Sequence, residues 1–204
     1  MSFHYWQYFL AIEASLNKTI QYVELTSNNY KTYSIEFARI LLSASSEVDV
    51  ICKLLCQKID ATKRNKNIDD YREIITEKYP NFYSMKILIP RYGIELIPWE
   101  KWRNQENPDW WKEYNSVKHE RSSNFQDANL ENTLNAVAGL FCLVVYYYQP
   151  ELFALKLNPW TQLLALENEP FHLIEACAQL NVCFFNNLYL FDELLNRPFR
   201  MRQT

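Results

Sequence analysis

Apolar residues recur every three or four positions along much of this chain, which is the spacing of one face of an α-helix. The clearest row runs from Phe37 to Ile59, and a second follows the same rhythm within a helix predicted over Asp127 to Tyr148. A similar stripe covers Tyr5 to Leu25, and a short helix is predicted over Ile68 to Tyr79. The two longest stripes predict helices that pack along each other through their apolar faces.

Two short β-type runs, Met85 to Ile89 and Ile94 to Pro98, flank a turn that contains proline and glycine, and they predict a hairpin. A second small hairpin over Val182 to Phe191 and a helix over Pro170 to Leu180 are weaker expectations. The chain is therefore predicted to be mainly α: an up-and-down bundle of four to five long helices with one or two small β-hairpins. Residues 1–150 are expected to form the bundle, and residues 151–204 a C-terminal extension packed on the same domain.

Composition narrows the classes of function. The chain has 204 residues, of which 49% are hydrophobic and only two are glycine. Glycine-rich phosphate loops and turn-rich sandwiches both need more glycine. The formal net charge of -3 argues against a generally basic nucleic-acid coat protein, although it leaves room for a local basic patch. The basic stretch Lys63 to Asn67 is such a candidate, and the competing interpretation, which we favour, is a solvated connector.

The cysteines number five, and the N-terminus lacks a secretory pattern, so we expect a reduced, cytoplasmic setting. Cys52 and Cys56 lie one helical turn apart, but no second Cys/His pair follows at zinc-site spacing. We therefore interpret them as core residues and expect neither a metal nor a cofactor. The longest apolar run, Ala136 to Tyr148, is short of the roughly 20 residues that span a bilayer, which predicts a buried helix and no membrane partner.

The segment Trp110 to Arg121, WWKEYNSVKHER, combines the groups most able to carry chemistry. Asn107 before Pro108 predicts a helix start with Asn107 as its N-cap, and the polar residues 122–126 are expected to interrupt the helix. Helical spacing assigns two neighbouring faces, one with Trp111, Asn115 and His119, and the other with Trp110, Tyr114, Val117 and Arg121.

On the first face a histidine stands beside a carboxamide, with cations close by. His119 could exchange a proton near neutral pH, and Asn115 could orient it or a phosphate oxygen. Lys118 and Arg121 could neutralise charge on a transferring phosphoryl group. The alternative is a structural histidine that closes the helix, bonded to a carbonyl or to a carboxylate such as Glu47.

This segment, lying between two long helices, resembles the signature of the HEPN superfamily. That signature is an arginine, four to six residues, then a histidine, with a polar residue often directly after the arginine. His119 and Asn115 match, whereas Tyr114 stands at the position of the arginine. The order of helices is also similar, with Glu47 in the long helix before the motif, and Trp111 is expected to support the site. The resemblance covers roughly residues 5 to 148.

The resemblance implies a helical bundle that often dimerises, with the motifs of two subunits facing one cleft. Active members are metal-independent ribonucleases, in which the histidine assists attack by the ribose 2'-hydroxyl on the adjacent phosphate and the arginine binds that phosphate. Many belong to toxin–antitoxin, phage-defence or CRISPR-associated systems, and others that lack the full motif are binding modules. A phenol at Tyr114 has neither the charge nor the two-pronged geometry of a guanidinium, so Lys118, Lys112 or Arg121 would have to supply the charge.

We therefore predict a HEPN-like RNA-binding or protein-interaction module of a bacterial defence or toxin-type system, with weak or lost nuclease activity. The alternative is an active metal-independent ribonuclease that uses His119. The expected partners are a second copy in a homodimer, RNA, and an antitoxin or another defence-complex protein. A third option, independent of the family, is a small-molecule pocket lined by the many aromatic residues.

Overall fold

The computed structural model describes residues 3–149, 157 and 159–167. Within these residues the chain forms six helices and three short strands. The helices are α1 (His4–Thr19), α2 (Ile35–Ile59), α3 (Ile68–Lys78), α4 (Asp109–His119), α5 (Arg121–Asn124) and α6 (Leu130–Tyr147). The strands are β1 (Ile87–Ile89), β2 (Ile94–Leu96) and β3 (Ala165–Leu166). The predicted mainly α fold with a small hairpin is confirmed.

Helices α2 and α6 form the centre of the protein, as their apolar stripes predict. Each begins at a polar cap: the Ser34 side chain accepts a hydrogen bond from the Phe37 amide, and Asn129 caps α6 in the same way. The two helices run parallel. The Thr133 hydroxyl meets the Phe37 carbonyl near their starts, at 3.4 Å, and Lys58 Nζ donates to the Tyr147 carbonyl at their ends, at 2.8 Å.

Two further helices pack against both members of this pair in the opposite direction. At the start of α1, the Phe9 ring stacks on Phe141 from the second half of α6, with ring centroids 5.1 Å apart. At the start of α4, the Trp110 ring lies against Gly139 in the middle of α6. Because α1, α2, α4 and α6 alternate in direction along the chain, the up-and-down arrangement follows.

Helix α6 is the most apolar of the helices. Among the described residues it is the one helix long and apolar enough to cross a bilayer, and 78% of that stretch lies buried inside the protein. The expectation of a buried helix here is confirmed, because neighbouring helices cover its side chains on every side.

The predicted hairpin of β1 and β2 is confirmed. Its turn runs over Pro90–Tyr92, and Gly93 follows with φ of 62°, a conformation that favours glycine. Strand β3 pairs antiparallel with the other side of β1, which gives the strand order β2-β1-β3. This third strand was not predicted. The expected helix over Pro170 to Leu180 and the second hairpin over Val182 to Phe191 lie outside the described residues.

A buried carboxylate holds the described C-terminal segment on α1. The Glu13 side chain is 2% exposed and accepts three backbone N–H bonds, from Gln162, Leu163 and Leu164, each at 3.0 Å. The Trp6 indole N–H donates to the Pro159 carbonyl at 2.9 Å. A buried carboxylate is stable only where donors surround it, so residues 159–167 are fixed here by their backbone amides.

Three predicted boundaries were wrong. Helix α1 ends at Thr19 rather than near Leu25, which is nevertheless buried. Asn107 does not cap α4, because Pro108 holds the cap position and the Asn107 carbonyl oxygen accepts from Arg72 Nη1 at 3.1 Å. The interruption after α4 falls at Glu120, before the predicted residues 122–126.

Candidate functional site

Helix α4 has the two faces that its spacing predicts. Trp110, Tyr114 and Val117 are buried against the bundle. On the other face Trp111 and Asn115 are half-buried, and His119, the last residue of the helix, is exposed. One helix thus divides the WWKEYNSVKHER segment into residues that build the core and residues that solvent can reach.

Trp110 anchors the helix on the central pair. Its indole N–H donates to the Pro98 carbonyl at 2.8 Å, and its ring lies in a notch at Gly139. A β-carbon at position 139 would lie 2.9 Å from Trp110 Cζ2, so the notch requires the absence of a side chain. The Trp99 indole N–H, in turn, donates to the Gly139 carbonyl at 3.1 Å. Gly139 escaped the sequence analysis, although a single glycine within an apolar helix is a recognisable sign of close packing.

Tyr114, which stands at the position of the family's arginine, belongs to the core. It is 5% exposed, its ring centroid lies 5.3 Å from that of Trp111, and Lys118 Nζ lies 5.5 Å from its ring centroid. A side chain at this position points into the bundle beneath the exposed face. The ammonium of Lys118 therefore reaches the surface above Tyr114, the nearest place at which a cation stands to this position.

Asn115 and His119 are neighbours on one face, but their side chains do not bond to each other. The Asn115 amide N–H donates to the Trp111 carbonyl of its own helix at 2.8 Å. Among the described residues no hydrogen bond or ion pair reaches the His119 imidazole, so solvent surrounds it. The structure thus places the predicted orienting group and the predicted proton donor side by side without joining them.

Glu47, the acid of the preceding long helix, lies half-buried on α2. Burial raises the pKa of its carboxyl group above the ordinary value. Within the part of the chain that the structure describes, no hydrogen bond or ion pair connects Glu47 with His119. The alternative of a histidine held by Glu47 therefore finds no contact to support it.

Lys118 and Arg121 are both exposed, and neither forms an ion pair with a described residue. The expectation that Arg121 continues the face of Tyr114 and Val117 was wrong. Glu120, with φ of −136° and ψ of 56°, breaks the helix, and Arg121 begins α5 in a new direction. The Asn124 side-chain amide then donates to the free Ser116 carbonyl at 3.3 Å, which closes the end of α4.

The other basic candidate, Lys63 to Asn67, is neutralised by neighbouring acids. Lys63 pairs with Glu77, and Arg64 Nε lies 3.2 Å from a carboxylate oxygen of Asp70. A phosphate would have to compete with these carboxylates, and this supports the interpretation as a solvated connector.

The cysteine pair and the remaining aromatic residues show no sign of a ligand site. Cys52 and Cys56 are buried, and burial raises the pKa of Cys56 to about 12 and that of Cys52 well above its ordinary value. No group of three or more potential metal ligands occurs among the residues that the structure describes. A groove of about 190 Å³ between α1 and α2 has one aromatic residue in its lining, Tyr8.

The sequence analysis missed one pair of groups beside the site. The carboxyl groups of Glu113, in α4, and Asp127, just before α6, lie within hydrogen-bonding distance of each other. The two residues are distant in the sequence and no motif connects them, so only the fold brings them together. Comparison with protein-family models, curated proteins and solved structures found no match to this chain.

Proposed function

We propose that this chain is a HEPN-like module that binds RNA through the exposed end of α4 and the start of α5, with weak or lost nuclease activity. The observation that carries the proposal is the burial of Tyr114. A buried phenol at the arginine's position cannot hold a phosphate, so the group that orients the phosphate for cleavage is absent. The proposal includes the expected homodimer, in which two copies of this face would line one cleft.

The exposed cations support phosphate binding. Lys118 and Arg121 have no carboxylate partner among the described residues, so binding of a phosphate breaks no ion pair. Lys63 and Arg64, by contrast, are already paired with acids. Lysine and arginine that neutralise phosphates release counterions, and affinity then falls with salt by about 0.7 log units per log unit of salt for each contact with a single strand.

Fluorescence anisotropy with a labelled single-stranded RNA tests this proposal. The double variant Lys118→Gln/Arg121→Gln is expected to bind more weakly and to lose about one unit of the salt slope. The matched control is Lys63→Gln/Arg64→Gln, which removes the same charge from paired cations and should leave the slope unchanged. Equal effects of the two double variants, or no binding of RNA by the wild-type protein, would contradict the proposal.

A second candidate function is the active metal-independent ribonuclease, and the exposed imidazole of His119 favours it. Incubation of the protein with RNA in EDTA, beside a His119→Ala control, separates the two candidates. We expect no cleavage above background from either protein. Cleavage that disappears in the His119→Ala variant would replace the proposal of lost activity with that of an active nuclease.

A further inference from the structure

Two carboxyl groups meet at the base of the segment that carries the proposed RNA-binding face. Glu113 lies in α4 directly before Tyr114, and Asp127 ends the 3-10 turn Phe125–Asp127 before α6. Their carboxyl groups are within hydrogen-bonding distance. Because an ionised carboxylate only accepts hydrogen bonds, the two groups can bond only when one of them carries a proton.

The pair closes a loop around the exposed cations. Lys118, His119 and Arg121 all lie between Glu113 and Asp127 in the chain. The Asp127 carbonyl accepts from the Asn132 side chain at 2.8 Å, so Asp127 is fixed to α6, while Glu113 is fixed to α4. Helix α5, in between, is a single turn with no buried residue. A segment with so few buried contacts depends strongly on the bonds at its ends.

The charges that face Glu113 come from three directions. Asp109 stands one turn earlier on α4 and itself pairs with Lys101 at 2.6 Å. Lys31, from the loop before α2, pairs with Glu131 of α6 at 2.7 Å and is largely exposed. Burial, then the hydrogen bond and charge of Asp127, and then Asp109 raise the pKa of Glu113 above its ordinary value, and Lys31 opposes them.

We propose that Glu113 and Asp127 form a proton-dependent latch that orders the segment between them and thereby regulates RNA binding. The regulatory part rests on the proposed function, whereas the latch itself does not. With one proton in the pair, the latch is closed. When both groups are ionised, they repel each other, and the exposed face carries one more negative charge against the RNA phosphates.

The direction of the pH dependence follows from linkage. The folded protein holds the proton on Glu113 more tightly than the unfolded chain does, because its pKa is raised in the folded state. The stabilisation by the latch is therefore fully present below the unfolded pKa and is lost as the pH rises through the folded pKa. The latch closes on acidification and opens at higher pH.

Amide hydrogen exchange tests the latch without RNA. The Glu113→Gln variant keeps the shape and supplies an amide that can donate to Asp127 at every pH. The probes are the Asn124 and Ala128 amides, which bond within the segment to the Glu120 and Phe125 carbonyls. At each pH the exchange rate of the wild type is divided by that of the variant, which cancels the intrinsic effect of pH.

We expect this ratio to be near one at low pH and to rise through the folded pKa, reaching about tenfold for each unit by which the folded and unfolded pKa values differ. The matched control is Glu120→Gln, which removes one carboxylate from the same segment outside the pair and should behave as the wild type. A ratio that stays at one, or an equal effect of Glu120→Gln, would overturn the latch.

A second variant moves the transition instead of removing it. Lys31→Gln deletes the cation that favours ionised Glu113, so the pKa of Glu113 should rise further and the latch should open at a higher pH. Carboxyl-carbon NMR titration of Glu113 measures this directly. A Glu113 that titrates at its ordinary value in the wild type, or no shift in the Lys31→Gln variant, would contradict the proposed geometry.

RNA affinity then tests the regulation, in the His119→Ala background so that the imidazole does not titrate. Affinity should fall as the pH rises through the latch transition, and the Glu113→Gln substitution should abolish this fall. Affinity that falls equally in both proteins overturns the regulation. If no RNA binds, the regulation fails together with the proposed function, while hydrogen exchange still decides whether the latch exists.

Discussion

The two faces of α4 differ in how firmly the rest of the protein holds them. On the inner face, Trp110 fills the notch at Gly139 and donates to Pro98, and Tyr114 is buried one turn later. On the outer face, Asn115 bonds only within its own helix, and nothing in the described part of the chain holds His119. Packing therefore explains the residues of the inner face, and binding is left to those of the outer face.

This difference changes how the resemblance to the HEPN signature should be applied. A linear motif compares positions without regard to the side of the helix on which they lie. Here the position of the arginine falls on the inner face, and the positions of the polar residue and the histidine fall on the outer face. Any phosphate ligand must then come from the outer face or beyond the helix, where Lys118 and Arg121 lie exposed.

The largest expected effect contrasts two adjacent tryptophans. Trp110→Ala should lower the free energy of unfolding by about 3–5 kcal/mol, because it empties the notch at Gly139 and removes the bond to Pro98. Trp111→Ala, on the half-exposed face, should lower it by about 1 kcal/mol. Urea denaturation followed by circular dichroism measures both. Equal losses would mean that the two faces are not held differently.

The helices could be predicted from the sequence because burial of one face imposes its period on the chain. Phe37 to Ile59 shows this clearly, and local caps such as Ser34 mark the start. Contacts between distant residues leave no such pattern. The fit of Trp110 to Gly139, the three backbone amides on Glu13 and the contact of Glu113 with Asp127 depend on the complete fold.

Within the candidate site, the division of α4 into two faces was predictable for the same reason. The position of Arg121 was not, because ideal spacing carries it onto the face of Tyr114, whereas Glu120 breaks the helix. The break also depends on a distant side chain, since Asn124 takes over the Ser116 carbonyl that a longer helix would have satisfied.

An arginine placed on the inner face sharpens the comparison. Tyr114→Arg restores the family's residue but buries a guanidinium without an acid partner, so we expect a loss of about 2–4 kcal/mol in the free energy of unfolding. Asn115→Arg, one position away on the outer face, should change it by less than about 1 kcal/mol. Thermal melts compare the two variants, and RNA cleavage in EDTA should not appear in Tyr114→Arg. A stable Tyr114→Arg protein that cleaves RNA would show instead that this position faces a cleft.

The smallest expected effect on stability belongs to His119, at the exposed end of the outer face. His119→Ala should change the free energy of unfolding by no more than about 0.5 kcal/mol, because no described residue bonds the imidazole. Val117→Ala, two positions earlier on the inner face, should lose about 2 kcal/mol. If His119 contacts RNA, the same variant should bind labelled RNA about fivefold more weakly, the effect of one lost hydrogen bond. A large loss of stability would instead identify His119 as a structural residue, and the outer face would then lose its claim to be a free binding surface.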